Sequence, residues 1–148
     1  MAQRSQVSRL TLQVDLTCSA DKFYGMFRKN MGQLVQMFPE NLKGYRFVQG
    51  NEFGNGAVVL WNYNLGTPST VKARHDTNDA TKAITFTVLE GDLLRIFKNF
   101  KVKLQVERGV AKWSFEFEKI NPNSPNPTEY LDFVNKVSKG LNAQLGRA

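Results

Sequence analysis

Residues 8–17 alternate, with Leu10, Leu12, Val14 and Leu16 on one side and Thr11, Gln13 and Asp15 on the other. A period of two with one apolar face predicts a half-buried strand. The period then lengthens. Ser19 stands as an N-cap with Asp21 in the next turn, and Phe23, Phe27, Leu34, Val35 and Phe38 recur at helical spacing up to Pro39, with Gly32 dividing the stretch into two short helices. From Lys43 the period of two returns. Turn residues separate six further strands, predicted at 44–49, 57–64, 70–76, 82–89, 97–107 and 110–120. Beyond the proline-punctuated connector 121–127, Thr128 opens a long amphipathic helix. Its apolar stripe is Tyr130, Phe133, Val134, Val137, Leu141 and Leu145, while Asp132, Lys136 and Lys139 face water. Strand, two helices, six strands and a final helix predict an α+β fold with a seven-stranded antiparallel sheet.

The last hairpin carries an internal check. A two-residue turn at Arg108 and Gly109 sets Leu104 opposite Trp113, Val102 opposite Phe115 and Phe100 opposite Phe117 on one face, and Lys101 opposite Glu116 on the other. A slip of one residue would undo the apolar and the charged matches together.

Composition narrows the class. The chain has 148 residues, 41% of them hydrophobic, and its 11 Phe, 4 Tyr and 2 Trp supply the apolar area that a disordered chain lacks. Its length fits a single domain over residues 1–148. No apolar run approaches a membrane span, and the polar opening from Met1 to Arg9 has no apolar stretch behind it, so neither membrane insertion nor a secretory leader is expected. The single cysteine, Cys18, has no partner for an internal disulfide, and Asn126 is followed by Pro127 rather than heading a glycosylation site. A cytoplasmic setting is expected. The net charge of +7 and a pI near 9.7 raise the question of nucleic acid. The 20 basic residues, however, are scattered from Arg4 to Arg147 among acidic neighbours, so nucleic acid is not the expected partner.

Candidate chemistry is sparse. Gly50, Gly54 and Gly56 suggest a phosphate cradle, but the segment leads into the strand Ala57-Val58-Val59-Leu60 rather than a helix, so a tight loop is the reading. One cysteine and one histidine cannot build a zinc-type site, so no metal is expected, and Cys18 and His75 are too far apart in the strand order to act as a pair. Lys72, Arg74 and Asp76 mark the wet side of their strand, which turns Val71, Ala73 and His75 inward. His75 is then either a structural core residue or a ligand-contacting one. The inner face collects Trp61, Tyr63, Ile84, Phe86, Val88, Phe100, Val102, Leu104, Trp113, Phe115 and Phe117 opposite the helical stripe. Such a set is a packed core or the wall of a pocket with a few polar anchors.

Several segments together resemble the major latex protein branch of the plant Bet v 1-like superfamily, which includes the pathogenesis-related class ten proteins. They are Ser19-Ala20-Asp21-Lys22-Phe23-Tyr24, Gly50 to Gly56 running into Val59-Leu60-Trp61, Ile84-Thr85-Phe86 and Val88-Leu89-Glu90-Gly91-Asp92-Leu93. Phe100, Leu104-Gln105-Val106, Lys112-Trp113-Ser114-Phe115-Glu116-Phe117-Glu118-Lys119 and Pro127 before Tyr130-Leu131-Asp132-Phe133 complete the pattern over nearly the whole chain. The displaced glycine spacing beside Phe53 and the short Arg108–Gly109 turn depart from it at the rim.

The resemblance implies a helix-grip (START-like) fold, a curved sheet wrapped around the C-terminal helix over an internal cavity. It further implies a monomer or weak dimer, without cofactor, that binds, stores or carries a hydrophobic or amphipathic plant metabolite of the flavonoid, sterol, hormone, alkaloid or terpenoid class, linked to defence or stress. The expected contacts are Trp61, Tyr63, His75, Phe86, Val88, Phe100, Val102, Leu104, Trp113, Phe115, Tyr130, Phe133, Val134 and Val137. Access is expected between the Gly54 loop, the Gly91 turn and the start of the last helix. The alternative is a cofactor-independent isomerase or cyclase of alkaloid or terpenoid metabolism, with His75 as acid or base and Tyr63 donating to a developing oxyanion.

Overall fold

The computed structural model describes residues 7–146; the first six residues of the polar opening segment and the last two residues of the chain lie outside it. Seven strands form one antiparallel sheet: β1 (Ser8–Asp15), β2 (Leu42–Gln49), β3 (Val58–Asn64), β4 (Pro68–Asn78), β5 (Ala83–Gly91), β6 (Phe97–Glu107) and β7 (Val110–Lys119). Their spatial order is β1-β7-β6-β5-β4-β3-β2. Two short helices, α1 (Ala20–Lys29) and α2 (Gly32–Met37), follow β1, and the long α3 (Thr128–Leu145) closes the chain.

The β6–β7 register is the one that the hairpin check requires: Leu104 faces Trp113, Val102 faces Phe115, Phe100 faces Phe117 and Lys101 faces Glu116. Glu116 nevertheless gives its carboxylate to Arg9 of β1, at 2.7 Å, and that hydrogen bond holds its carboxyl below the ordinary range. β4 is longer than the predicted 70–76, because Pro68 can pair with Asn64 as a first strand residue, where no ladder N–H is demanded of it. β1 is shorter than predicted, stopping at Asp15. Leu16 N still donates to the Gly109 carbonyl at 2.9 Å, and the two amides beyond it turn to α3, where Asn142 Oδ1 accepts from Thr17 N at 2.8 Å and from Cys18 N at 3.0 Å.

A 3₁₀ turn at Asp92–Arg95 was not expected from the pattern. It depends on Gly91, whose φ of +125° brings the backbone so near β4 that an added Cβ would stand 2.3 Å from the Thr70 carbonyl oxygen. Asp92 then accepts a hydrogen bond from Thr70 N at 2.9 Å and fixes the turn to the sheet.

Ser19 caps α1 by accepting from Lys22 N at 3.4 Å, with Asp21 in the first turn and Arg28 and Lys29 in the last, charges that suit the helix dipole. Tyr24 and Arg28 of α1 both donate to Asp79 Oδ1, at 2.6 and 2.9 Å, and tie the helix to the β4–β5 turn. α3 is held most firmly along its C-terminal half. Val137, Ser138 and Leu141 are fully buried, and Ser138 Oγ accepts the Trp113 indole N–H at 2.8 Å. Toward its N-terminus, Tyr130, Phe133 and Val134 are only half-buried. No described helix is long and apolar enough to cross a membrane.

Candidate functional site

Alternation along β3 turns Val59, Trp61 and Tyr63 inward, while β4 turns in Val71, Ala73 and His75. Between this face and α3 lies an inner chamber of about 170 Å³. Its wall takes Trp61, Tyr63, Phe86, Val88, Phe100, Val102 and Trp113 from the sheet and Phe133, Val134 and Val137 from α3. Every strand from β7 to β2 in the order reaches the same small space, which requires the sheet to curve around the helix. The lining is hydrocarbon and aromatic ring almost throughout.

Ten of the expected contact residues therefore meet around one space. Four do not line it. Leu104 and Phe115, 0% and 1% exposed, are packed into the solid part of the core. Tyr130 lines a second space, and His75 lies behind the wall. Its ring stacks on Phe53 at 5.9 Å and on Trp61 at 6.5 Å, and meets the edge of Phe86 at 4.8 Å. His75 is 1% exposed, and its Nε2 is buried without a hydrogen-bond partner. Burial, only slightly opposed by Asp76, pulls its pKa down to about 4, so the imidazole is neutral at neutral pH.

The second space is an outer cleft of about 750 Å³, open to solvent. It is bounded by residues 65–69, by Asp92, Leu93 and Arg95–Phe97, and by residues 124–130 apart from Thr128. Leu65 and Leu93 line both spaces. At this partition the Tyr63 and Tyr130 hydroxyls are hydrogen-bonded to each other at 2.5 Å. Both phenols are pushed upward chiefly by burial; for Tyr63 the bond to Tyr130 works against that shift.

Access therefore differs from the sequence expectation. The Gly91 turn and the start of α3 border the cleft, but the loop beside them is 65–69 rather than 50–56. These two loops leave opposite ends of β3, which is seven residues long, so they stand on the order of 20 Å apart. The glycine loop instead positions Phe53, 7% exposed, over Trp61 and His75, while Arg28 donates to the Phe53 carbonyl at 3.3 Å. Sequence reasoning also missed what the helical segment lends to the chamber, Phe27 of α1, Met31 between the helices and Leu34 of α2. The helical spacing of Phe27 and Leu34 was visible, but not which part of the sheet they would cover.

Residues 5–148 match the family described as "Pathogenesis-related protein Bet v 1 family". Major latex protein 149 of Papaver somniferum is 31% identical, with 94% of this chain and 91% of that protein covered. MLP-like protein 43 of Arabidopsis thaliana is 34% identical over 98% of each chain. The crystal structure of ginseng major latex-like protein 151 from Panax ginseng superposes with a TM-score of 0.87 at 28% identity, covering 93% of this chain and 97% of that one. Norcoclaurine synthase from Thalictrum flavum, solved with dopamine and hydroxybenzaldehyde, reaches 0.73 at 14% identity over 93% of this chain and 87% of its own, a likeness of fold.

Proposed function

The chain belongs to the Bet v 1 family, among its major latex proteins, and from that premise we propose that it binds and carries a largely apolar plant metabolite between the sheet and α3. The observation that supports this most directly is the inner chamber, a space left within a core where close packing is the rule. An engineered cavity of about 150 Å³ lined by Leu, Ile and Phe stays dry and binds benzene, so a chamber of this size takes an aromatic ring. The unpaired thiol of Cys18, buried and pushed upward by that burial, suits a reducing compartment, and we place the carrier in the cytoplasm.

Magnitudes set what the chamber can do alone. A ring that hides on the order of 200 Å² gains about 5 kcal/mol at 25 cal/mol per Å². That corresponds to a Kd of hundreds of micromolar before the cost of immobilising the ligand. The acid-base alternative has less to draw on. The only histidine in the chain stands behind the chamber wall with depressed basicity, and the Tyr63 hydroxyl is engaged by Tyr130. Binding without turnover is the reading.

Native mass spectrometry of protein purified from its own tissue tests this reading. A co-purifying organic molecule is expected, and adding it to emptied protein should change the fluorescence of Trp61 and Trp113, which both line the chamber. Recovery of bare protein, together with indole emission indifferent to every apolar compound offered, would refute it.

A further inference from the structure

Inner chamber and outer cleft are unlike in size and chemistry, yet they share a wall. The chamber is apolar and small, whereas the cleft carries Thr67, Ser69, Asp92, Arg95, Asn126 and Glu129. Leu65 and Leu93 belong to both, and the wall is completed where Tyr63, on the chamber side, bonds to Tyr130, on the cleft side. The helix that carries Tyr130 is fastened unevenly. Ser138 and Asn142 tie its far half to β7 and to the segment after β1, and mid-helix Lys136 donates to Asn41 Oδ1 at 2.8 Å and pairs with Glu40, while the first two turns, ahead of Lys136, meet the sheet through the tyrosine bond and half-buried side chains.

We propose that the ligand has two parts, a slim apolar group no bulkier than one ring or one alkyl chain in the inner chamber and a polar remainder in the outer cleft, with the Tyr63–Tyr130 pair parting to admit the link between them. The inference rests on the carrier reading above and adds the shape and polarity of the guest. A fused polycyclic skeleton exceeds the chamber, and a ring alone leaves the cleft unused. Ligand pockets commonly span about 300–1,000 Å³, a range that the chamber falls short of and that the cleft supplies. When the first two turns of α3 tilt about the ties at Lys136, Ser138 and Asn142, the hydroxyl pair separates. A hydroxyl or ether oxygen of the ligand at the partition then takes up the bond that the two phenols give up, so neither is left buried and unpaired.

The test uses the full chain and a series of phenylalkanols from benzyl alcohol to 6-phenylhexanol, with a four-ring sterol as the bulky probe. Indole fluorescence reports arrival in the chamber, and stopped-flow mixing gives the association rate. Affinity is expected to rise along the series, and the sterol to leave the indoles unchanged. Tyr130→Phe keeps the ring but removes the latch, and should speed association about three- to tenfold, the factor that one net hydrogen bond represents. Tyr63→Phe serves the same purpose if that variant fails to fold. Val134→Phe, which fills the chamber from α3, should weaken the whole series at least about tenfold. A sterol that perturbs the indoles as strongly as the phenylalkanols, or unchanged association in both tyrosine variants, overturns the two-part ligand and leaves the carrier reading standing. Indoles that respond to none of these probes overturn both.

Discussion

His75 shows how a single residue can be read correctly in direction and still be open in role. Alternation along its strand turned it inward, and it is buried among Phe53, Trp61 and Phe86. Whether it reached the cavity depended on Trp61 and Phe86, which line the chamber and pack against its ring, a fit between neighbouring strands that the period does not announce. Its burial has a measurable consequence. The unfolded chain takes a proton on this imidazole near pH 6.5, the folded chain only near pH 4, so protons favour unfolding between those values. The stabilising contribution is complete above pH 6.5, is lost as the pH falls through that window, and changes no further below it. The shift corresponds to about 3 kcal/mol in a two-state urea titration. His75→Phe, which keeps a flat ring in the stack, should remove that pH dependence. An identical slope between pH 6.5 and 4 in the variant would show that the proton binds elsewhere.

At the level of elements, local pattern and long-range fit separate cleanly. Hairpin β6–β7 was legible down to single pairs because a two-residue turn and two matched faces leave one register. The α1 cap and the α3 stripe were legible for similar local reasons. The 3₁₀ turn at Asp92–Arg95 was not, since it exists because the backbone of Gly91 presses on β4, a contact between segments that no periodicity encodes. Two glycines should accordingly behave in opposite ways. Gly91→Ala meets the Thr70 backbone at positive φ and should cost at least about 3 kcal/mol or prevent folding. Gly25 lies inside α1 with nothing within 4 Å of an added Cβ, and Gly25→Ala should stabilise by about 0.5–1 kcal/mol. Chemical denaturation of the pair decides the matter: similar effects of the two substitutions would contradict the close contact at Gly91.

For the molecule as a whole, the sequence showed a ring-lined interior but not how much of it would stay vacant. Vacancy is the difference between two large volumes, the space inside a curved sheet and the side chains that fill it, and a small error in the curvature outweighs the remainder. Hence Leu104 and Phe115 are packed solid while Phe100 and Val102, from the same strand as Leu104, border the chamber. On the proposed binding function, a ligand should stabilise the fold through mass action. A phenylalkanol at about a hundred times its Kd adds about 2.7 kcal/mol. In a chain of this length that raises the thermal midpoint by roughly 5–10 °C. Differential scanning fluorimetry with increasing ligand checks this, and a midpoint indifferent to saturating ligand would place the binding on the unfolded chain or nowhere.

The sheet also ends, and its ends decide whether one copy can add its strands to another. β1 and β2 are the terminal strands, and β2 pairs with β3 through two register shifts that leave Lys43 and Val48 as supernumerary residues, both solvent-exposed. A terminal strand interrupted twice cannot offer an incoming chain an unbroken run of amide and carbonyl groups, and the cation at one interruption resists burial against another copy. The irregularity that spoils the outermost ladder is thus a safeguard against strand-by-strand polymerisation, and deleting Lys43 or Val48 would straighten the border and invite fibrils.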